Sequence, residues 1–455
     1  MRYHRLSSLA VSSICLALAC SSEESSESEV QQQQPSQGGN DGASAGAPNA
    51  APNDGAADEA GPGAPNPNAA GSSTDSALPT ASADAGSAPG AFFVQQVVET
   101  DAGPVSYLAA VPGDSLDALG GIDASAIGLS VPGDSPATVH GSAVFVAGSA
   151  EPQISRFDLG ADGRLVAGPS LSFGELGVLD VFPWRIIVAS DTKAYLFDSE
   201  NGRAIAWNPA TMQLTGSEID ISAGVKPGFT LDPLASYGRT VNGTAFVPGS
   251  WYSDDEGASL GTAALYAIDV ASDELLELSE DTRCAGYVLA TLPSGDLHVL
   301  PDNLFAEELG LGTDASACSL RVPAGSVSFD PDFAQDLGAL VAASGAAAGF
   351  VQGGISDGSG GIYLGVAAPP AGDAGAGGDA LVYDLFRWDV ALGTASPVPG
   401  SAFTGALLEQ WNGAPPSFAL QPAADLASTR VLALSVSPPT EVSVTGNVVA
   451  VAKLR

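Results

Sequence analysis

Residues able to do acid–base or metal chemistry are few in kind and scattered in position. Beyond the N-terminal segment, histidine occurs only at His140 and His298, which disfavours a His-based triad or a multi-histidine metal site. No nucleophile elbow, no His-Glu-x-x-His and no phosphate-cradling Gly-rich loop is read from the chain. Carboxylates number 52, so nothing selects one pair for two-carboxylate hydrolysis. The run Asp254-Asp255-Glu256, after Trp251-Tyr252, is a weak candidate for holding a cation. Asp158 to Gly163 has Asp at loop positions one and five and Gly at six, but position three is Gly160 and position twelve Pro169. A calcium loop of the EF-hand kind needs oxygen ligands at both. No cofactor is expected.

Segments that mix aromatic and charged residues are better candidates for binding. They are Trp184 and Arg185 in Phe182-Pro183-Trp184-Arg185, Tyr237 and Arg239 around Gly238, and Trp251-Tyr252 in what reads as a long loop. Trp411 lies in a Pro-rich segment near the end. Arg185 and Arg239 stand out because the net charge is −37 and only three lysines are present. Such a surface repels phosphate backbones, so nucleic acid is not an expected partner.

The elements that must position these residues announce themselves by repetition. Gly141-Ser-Ala-Val144-Phe145 returns as Thr192-Lys-Ala-Tyr195-Leu196, Gly243-Thr-Ala-Phe246-Val247, Gly295-Asp-Leu-His298-Val299 and Gly360-Gly-Ile-Tyr363-Leu364, at spacings of 51, 51, 52 and 65 residues. Fainter copies are Gly90-Ala-Phe-Phe93-Val94 and Ser428-Thr-Arg-Val431-Leu432. His298 falls in the slot of Val144, Tyr195, Phe246 and Tyr363, so it reads as a packing residue. A second phrase ends in Asp or Asn: Phe157-Asp158, Trp207-Asn208, Ile268-Asp269, Trp388-Asp389. Short apolar runs between Gly, Pro, Asp and Asn clusters are strand-like. Asn201-Gly202 marks a hairpin. Asp332–Ala343 fits one short helix or a strand.

Each unit is about four antiparallel strands in about 50 residues, and stacking such sheets around an axis buries both faces of each. The expected fold is all-β: a β-propeller over residues 91–455, of about seven blades, with six or eight also fitting. Phe92–Thr100 and Glu441–Leu454 are expected to meet in one closing blade. Residues 21–90 are Ser-, Ala-, Gly- and Pro-rich and acidic, and residues 21–89 lack aromatic residues, Lys and Arg. They read as a disordered tether. Its r.m.s. span would be roughly 45–50 Å. Residues 1–20 read as a signal peptide with a basic start, an apolar run and Leu16-Ala-Leu-Ala-Cys20. That ending is close to a lipobox, which makes Cys20 the expected lipidation site, and Ser21 favours the outer membrane. The lipid would be the only membrane attachment, because no later stretch has the ~20 apolar residues of a span. In an oxidising compartment Cys284 and Cys318 are expected to pair.

Several phrases in order carry a family resemblance: Val131-Pro-Gly-Asp134; Thr192 to Asp198 with Trp207-Asn208-Pro209; Arg283-Cys284-Ala-Gly-Tyr287 followed by Cys318; and Asp330-Pro-Asp332-Phe333 with Asp336 to Leu340. Over most of residues 92–455 the chain resembles the MxcI-type lipoproteins, secreted propeller-like proteins of myxobacteria, whose namesake is associated with a catecholate siderophore gene cluster. The resemblance implies a cell-envelope role in iron–siderophore handling. It supplies no site residues. The expected function is a lipid-anchored, non-catalytic module that binds a ligand or an envelope protein. The alternatives are a periplasmic propeller enzyme (lyase or hydrolase) and an envelope-assembly scaffold.

Overall fold

The computed structural model describes residues 90–454, apart from residues 135, 149–150, 254–259, 302–316, 347–349, 368–381, 405–417, 424 and 435–438. The lipidation site and the tether lie outside the described residues.

The chain forms seven antiparallel sheets, the blades of a β-propeller. Blade 2 is Thr138–His140, Ala143–Ala147, Gln153–Leu159 and Leu165–Ser172, and blade 3 is Ile186–Ser190, Lys193–Asp198, Arg203–Asn208 and Gln213–Asp220. Blade 4 is Phe229–Pro233, Thr244–Ser253, Ala263–Asp269 and Glu274–Asp281, with Arg239–Val241 as an extra strand. Blade 5 is Val288–Thr291, Leu297–Leu300, Cys318–Val322 and Ala334–Asp336. Blade 6 is Phe350–Ser356, Gly361–Ala367, Val382–Asp389 and Thr394–Pro397, with Phe403–Thr404 added. Blade 7 is Phe418–Pro422, Ser428–Ala433 and Thr440–Thr445. The first strands of neighbouring blades touch, as Thr138–His140 does Ile186–Ser190 and Val288–Thr291 does Phe350–Ser356. These are therefore the inner strands, and the largely exposed last strands form the rim.

Blade 1 closes the ring. Its strands are Asn447–Leu454, Ala91–Thr100, Gly103–Pro112 and Leu129–Pro132, in that order, so the C-terminal strand supplies the inner edge. Closure differs from the sequence expectation in one respect: the segment from Glu441 divides at Gly446, whose φ is +80°. Thr440–Thr445 is the last described strand of blade 7, and only Asn447–Leu454 pairs with Ala91–Val97. A second contact reinforces the join. The insert after Gly103–Pro112 lies along the edge of blade 7, where Gly121 N donates to Ser443 O (3.0 Å) and Thr445 N to Ile122 O (2.8 Å).

Period-2 alternation decides the packing. Phe93 faces blade 2 while Phe92 and Val94 face blade 7. Seven apolar clusters result, each built from facing sides of two adjacent blades, as ring closure of seven sheets demands. Every copy of the first phrase lies on a second strand, but the copy in blade 2 is out of frame. The turn there is Gly141-Ser142, whereas in blade 4 it is Asn242-Gly243. One residue of slip reverses the face. Phe145, not Val144, occupies the slot of Tyr195 and Phe246, and Val144 points back toward blade 1. In three copies of the second phrase, the Asp or Asn caps the end of the third strand: Asp269 Oδ1 accepts from Ala271 N (2.9 Å) and Ser272 N (2.8 Å), Asn208 Oδ1 from Ala210 N (2.8 Å) and Asp389 Oδ1 from Leu392 N (3.0 Å), whereas Asp158 takes the Arg156 guanidinium instead. The stretch Asp332–Ala343 holds both alternatives, a strand at Ala334–Asp336 and then a helical turn at Leu337–Ala342 whose first turn Asp336 caps.

Cys284 and Cys318 form a disulfide, with Cα atoms 6.0 Å apart. It ties the crossover from blade 4 to the third strand of blade 5, inside the apolar cluster between those blades. No helix among the described residues is long and apolar enough to cross a membrane.

Candidate ligand site at the inner strands of blades 3 to 5

Phe182-Pro183-Trp184-Arg185 leads the chain into the inner strand of blade 3. Pro183 opens a single 3-10 turn, where its fixed φ suits and its missing N–H costs nothing. The turn brings Phe182 and Trp184 into a stack, ring centres 4.6 Å apart and planes 17° apart. The Arg185 guanidinium stands 5.0 Å from the Phe182 ring centre, a cation–π distance.

Blade 4 answers with an inner strand in two pieces. Phe229–Pro233 pairs with the far end of the long strand Thr244–Ser253, and Arg239–Val241 with its near end. Between them the turn Ala235–Tyr237 packs against Pro183–Arg185. Gly238 permits that approach: a Cβ there would stand 2.7 Å from Ile187 Cδ1 and 2.9 Å from Phe246 O. Leu231 and Trp251 face the blade 3 core. Asp232 and its cross-strand partner Ser250 therefore lie on the opposite face, as do Thr230 and Tyr252. There Ser250 Oγ donates to the Tyr287 hydroxyl of blade 5 (3.1 Å).

Arg185 and Asp232 meet at this inner edge, with Nε 3.4 Å from Oδ1. Both atoms are buried, and neither has a hydrogen-bond partner among the described residues. Ser236, wholly buried in the Ala235–Tyr237 turn, also has an unpartnered hydroxyl there. Burial pushes the Asp232 carboxyl up from the usual range, and the nearby Arg185 opposes the rise. Burial likewise raises the Tyr252 hydroxyl, with the neighbouring Tyr287 and Asp232 adding to the effect.

The contrast with other ion pairs sets this one apart. Lys193–Asp273, Arg203–Asp198 and Arg283–Asp281 close to 2.6, 3.0 and 2.6 Å. Arg185 has the least exposed side chain of the paired cations, at 13%, yet it holds no hydrogen-bonded carboxylate.

The structure brings Trp184 and Arg185 to this inner edge and places Tyr252 beside Asp232. Tyr237 instead packs against the cluster between blades 5 and 6. Arg239 Nη1 turns back onto the carbonyls of Tyr237 (3.2 Å) and Gly238 (2.8 Å). Trp251 and Tyr252 lie on a strand, not in the loop read from sequence. Trp251 is fully buried, its indole N–H donates to Gly224 O (2.7 Å), and Lys226 sits 4.4 Å above its ring. Asp254, Asp255, Glu256 and Trp411 lie outside the described residues. His140 has a partner that sequence did not reveal, Asp191, with Nε2 2.9 Å from Oδ1. His298 is buried, its Nδ1 3.0 Å from Ser319 Oγ and its ring set edge-on to Trp388 at 5.2 Å. Among the described residues no group of three or more His, Cys, Asp or Glu side chains converges.

One string needs correction. Gly354-Ile355-Ser356-Asp357-Gly358 does spell the Gly-x-Ser-x-Gly pattern. Ser356, however, ends the inner strand of blade 6 and enters a strand-to-strand hairpin, not a strand-to-helix elbow. Asp357 is taken by the backbone N–H groups of Ser359 and Gly361 and by Arg387.

Asp232, Ser236 and Ser250 carried no sequence signal, and Tyr287 stood out only as the end of the phrase Arg283 to Tyr287. Their roles come from a split inner strand that no copy of the repeat announces.

No family model and no curated protein matches the chain. Among solved structures it is similar to apo AztD from Citrobacter koseri, at 11% identity and TM-score 0.39, covering 80% of this chain and 98% of that one. It is also similar to TolB from Acinetobacter baumannii, at 11% identity and TM-score 0.33 over 80% of this chain and 82% of that one. The Dos1 propeller is a third, at 12% identity and TM-score 0.37 over 67% and 68%.

Proposed function

We propose that the chain is a lipid-anchored, extracytoplasmic propeller that acts as a non-catalytic binding module, with its ligand site at the inner mouth of blades 3 to 5. The observation that carries this reading is Arg185: a cation deep in an acidic protein, beside an aromatic stack, with no hydrogen-bonded counter-ion. A buried guanidinium left so is costly, and a ligand that supplies acceptors would offset the cost. The resemblance to MxcI-type lipoproteins favours a role in iron–siderophore handling within the cell envelope.

Titrating the full chain with ligand while following tryptophan fluorescence and melting temperature tests both levels. A ferric catecholate that shifts both signals in the wild type but not in Arg185→Gln supports the siderophore role. If ferric catecholate changes neither signal at saturation, that role is wrong. If no ligand's effect depends on Arg185, the mouth is not the site.

A further inference from the structure

We propose that this mouth takes a zwitterion, a free α-amino acid with an apolar side chain, whose carboxylate sits on Arg185 and whose ammonium sits on Asp232. The proposal rests on the reading of the mouth as the binding site and adds the ligand's chemistry.

Arg185 Nε and Asp232 Oδ1 face each other at 3.4 Å and are shut off from water. The two side chains keep 13% and 18% of their exposure, none of it at Nε or Oδ1, which leaves the Nη nitrogens and Oδ2 as the polar atoms a ligand can reach. The reachable edge thus offers donors and an acceptor side by side. A simple anion drawn to Arg185 would meet Asp232, and a simple cation drawn to Asp232 would meet Arg185. At so short a range the repulsion from the opposed charge cancels what the attraction gives. A zwitterion satisfies both groups. An α-amino acid carries its ammonium and carboxylate on one carbon, which suits an acceptor and a donor set this close together. The guanidinium fork suits a carboxylate.

The apolar part of the ligand has a wall ready. Phe182 and Trp184 are stacked and half-buried next to Arg185. Burial raises the Asp232 carboxyl. An ammonium placed on it adds to the pull of Arg185, so binding is tightest where Asp232 is ionised and releases protons where it is not.

Calorimetric titration of the full chain at neutral pH with L-phenylalanine, 3-phenylpropanoate and phenethylamine tests the assignment, because the two analogues lack the ammonium and the carboxylate respectively. L-phenylalanine is expected to bind saturably, with each analogue weaker by about tenfold or more. Arg185→Gln should abolish the preference over phenethylamine, and Asp232→Asn the preference over 3-phenylpropanoate. The proposal is overturned if either analogue matches L-phenylalanine, or if L-phenylalanine gives no saturable heat. Should another ligand then bind in an Arg185-dependent way, the amino-acid assignment alone fails. Should none do so, the site itself fails.

Discussion

Blades 3 and 4 are joined by two cation–carboxylate pairs, one at each end of the inner strand Ile186–Ser190, and the two could hardly be built more differently. After the strand, Lys193 Nζ donates to both oxygens of Asp273 (2.7 and 2.6 Å), and the Tyr195 hydroxyl donates to Oδ1 (2.8 Å). Before the strand, Arg185 and Asp232 stop at 3.4 Å with no hydrogen bond. The first is a closed network, in which every charge is answered within the fold. The second is open, and its outward edge faces solvent beside an aromatic stack. Closed pairs hold a propeller together, whereas an open pair at an inner mouth is what a binding site requires.

That comparison can be broken at several points. The largest effect is expected from Asp273→Ala, which strands the Lys193 ammonium and the Tyr195 hydroxyl. Breaking a buried pair in this way costs about 3–5 kcal/mol, and denaturant unfolding would register it. A loss under about 1 kcal/mol would mean that the closed network is not scaffolding.

His298 is the intermediate case, with one ring nitrogen held by Ser319 and Nε2 buried without a partner among the described residues. Burial lowers its pKa from 6.5 to about 4. The folded state thus binds fewer protons than the unfolded one between those values. Stability from this residue is full above about pH 6.5, falls as pH drops toward 4, and totals about 3 kcal/mol. His298→Phe, which restores the residue type used at Phe93, Phe145 and Phe246, should remove that pH dependence in unfolding measured from pH 7 to pH 4. An unchanged slope would show that His298 is not the group responsible.

The smallest stability effect is expected at the open pair. Asp232→Asn should cost clearly less than Asp273→Ala, because burial already opposes the charged carboxyl and the carboxamide keeps its shape and an oxygen facing Arg185, so that only the pairing charge is lost. Its cost should appear in ligand binding. A destabilisation as large as that of Asp273→Ala would erase the distinction between the two pairs.

The sequence told much about the ring and little about the mouth. The ring was legible because the blades repeat a turn and a second strand with an apolar slot residue, and four of them a third strand that ends at or next to Asp or Asn. The slip at Val144 and Phe145 shows the limit: a two-residue turn can carry its glycine at either position, and spacing alone does not say which. The division at Gly446 was hidden because residues on both of its sides are strand formers. Trp184 and Arg185 were legible as an aromatic–cation pair ahead of a strand. Trp251 misled because its apparent loop is a strand continued beyond the usual length, which buries the ring against blade 3. Asp232 could not be found, since it is one carboxylate among 52 acidic residues. Only the cross-strand register with Ser250 and the arrival of Arg185 from another blade mark it out.

The distance between Arg185 and Asp232 in a high-resolution crystal structure of the full chain, grown with and without L-phenylalanine, tests the central claim most directly. The expected result is an open pair in both crystals, with the ligand's carboxylate on the Arg185 Nη atoms and its ammonium on Asp232 Oδ2 when it is present. A pair closed to about 2.8 Å, as charge-assisted hydrogen bonds are, with nothing bound at its outer edge, would make it a second Lys193–Asp273 and contradict the account.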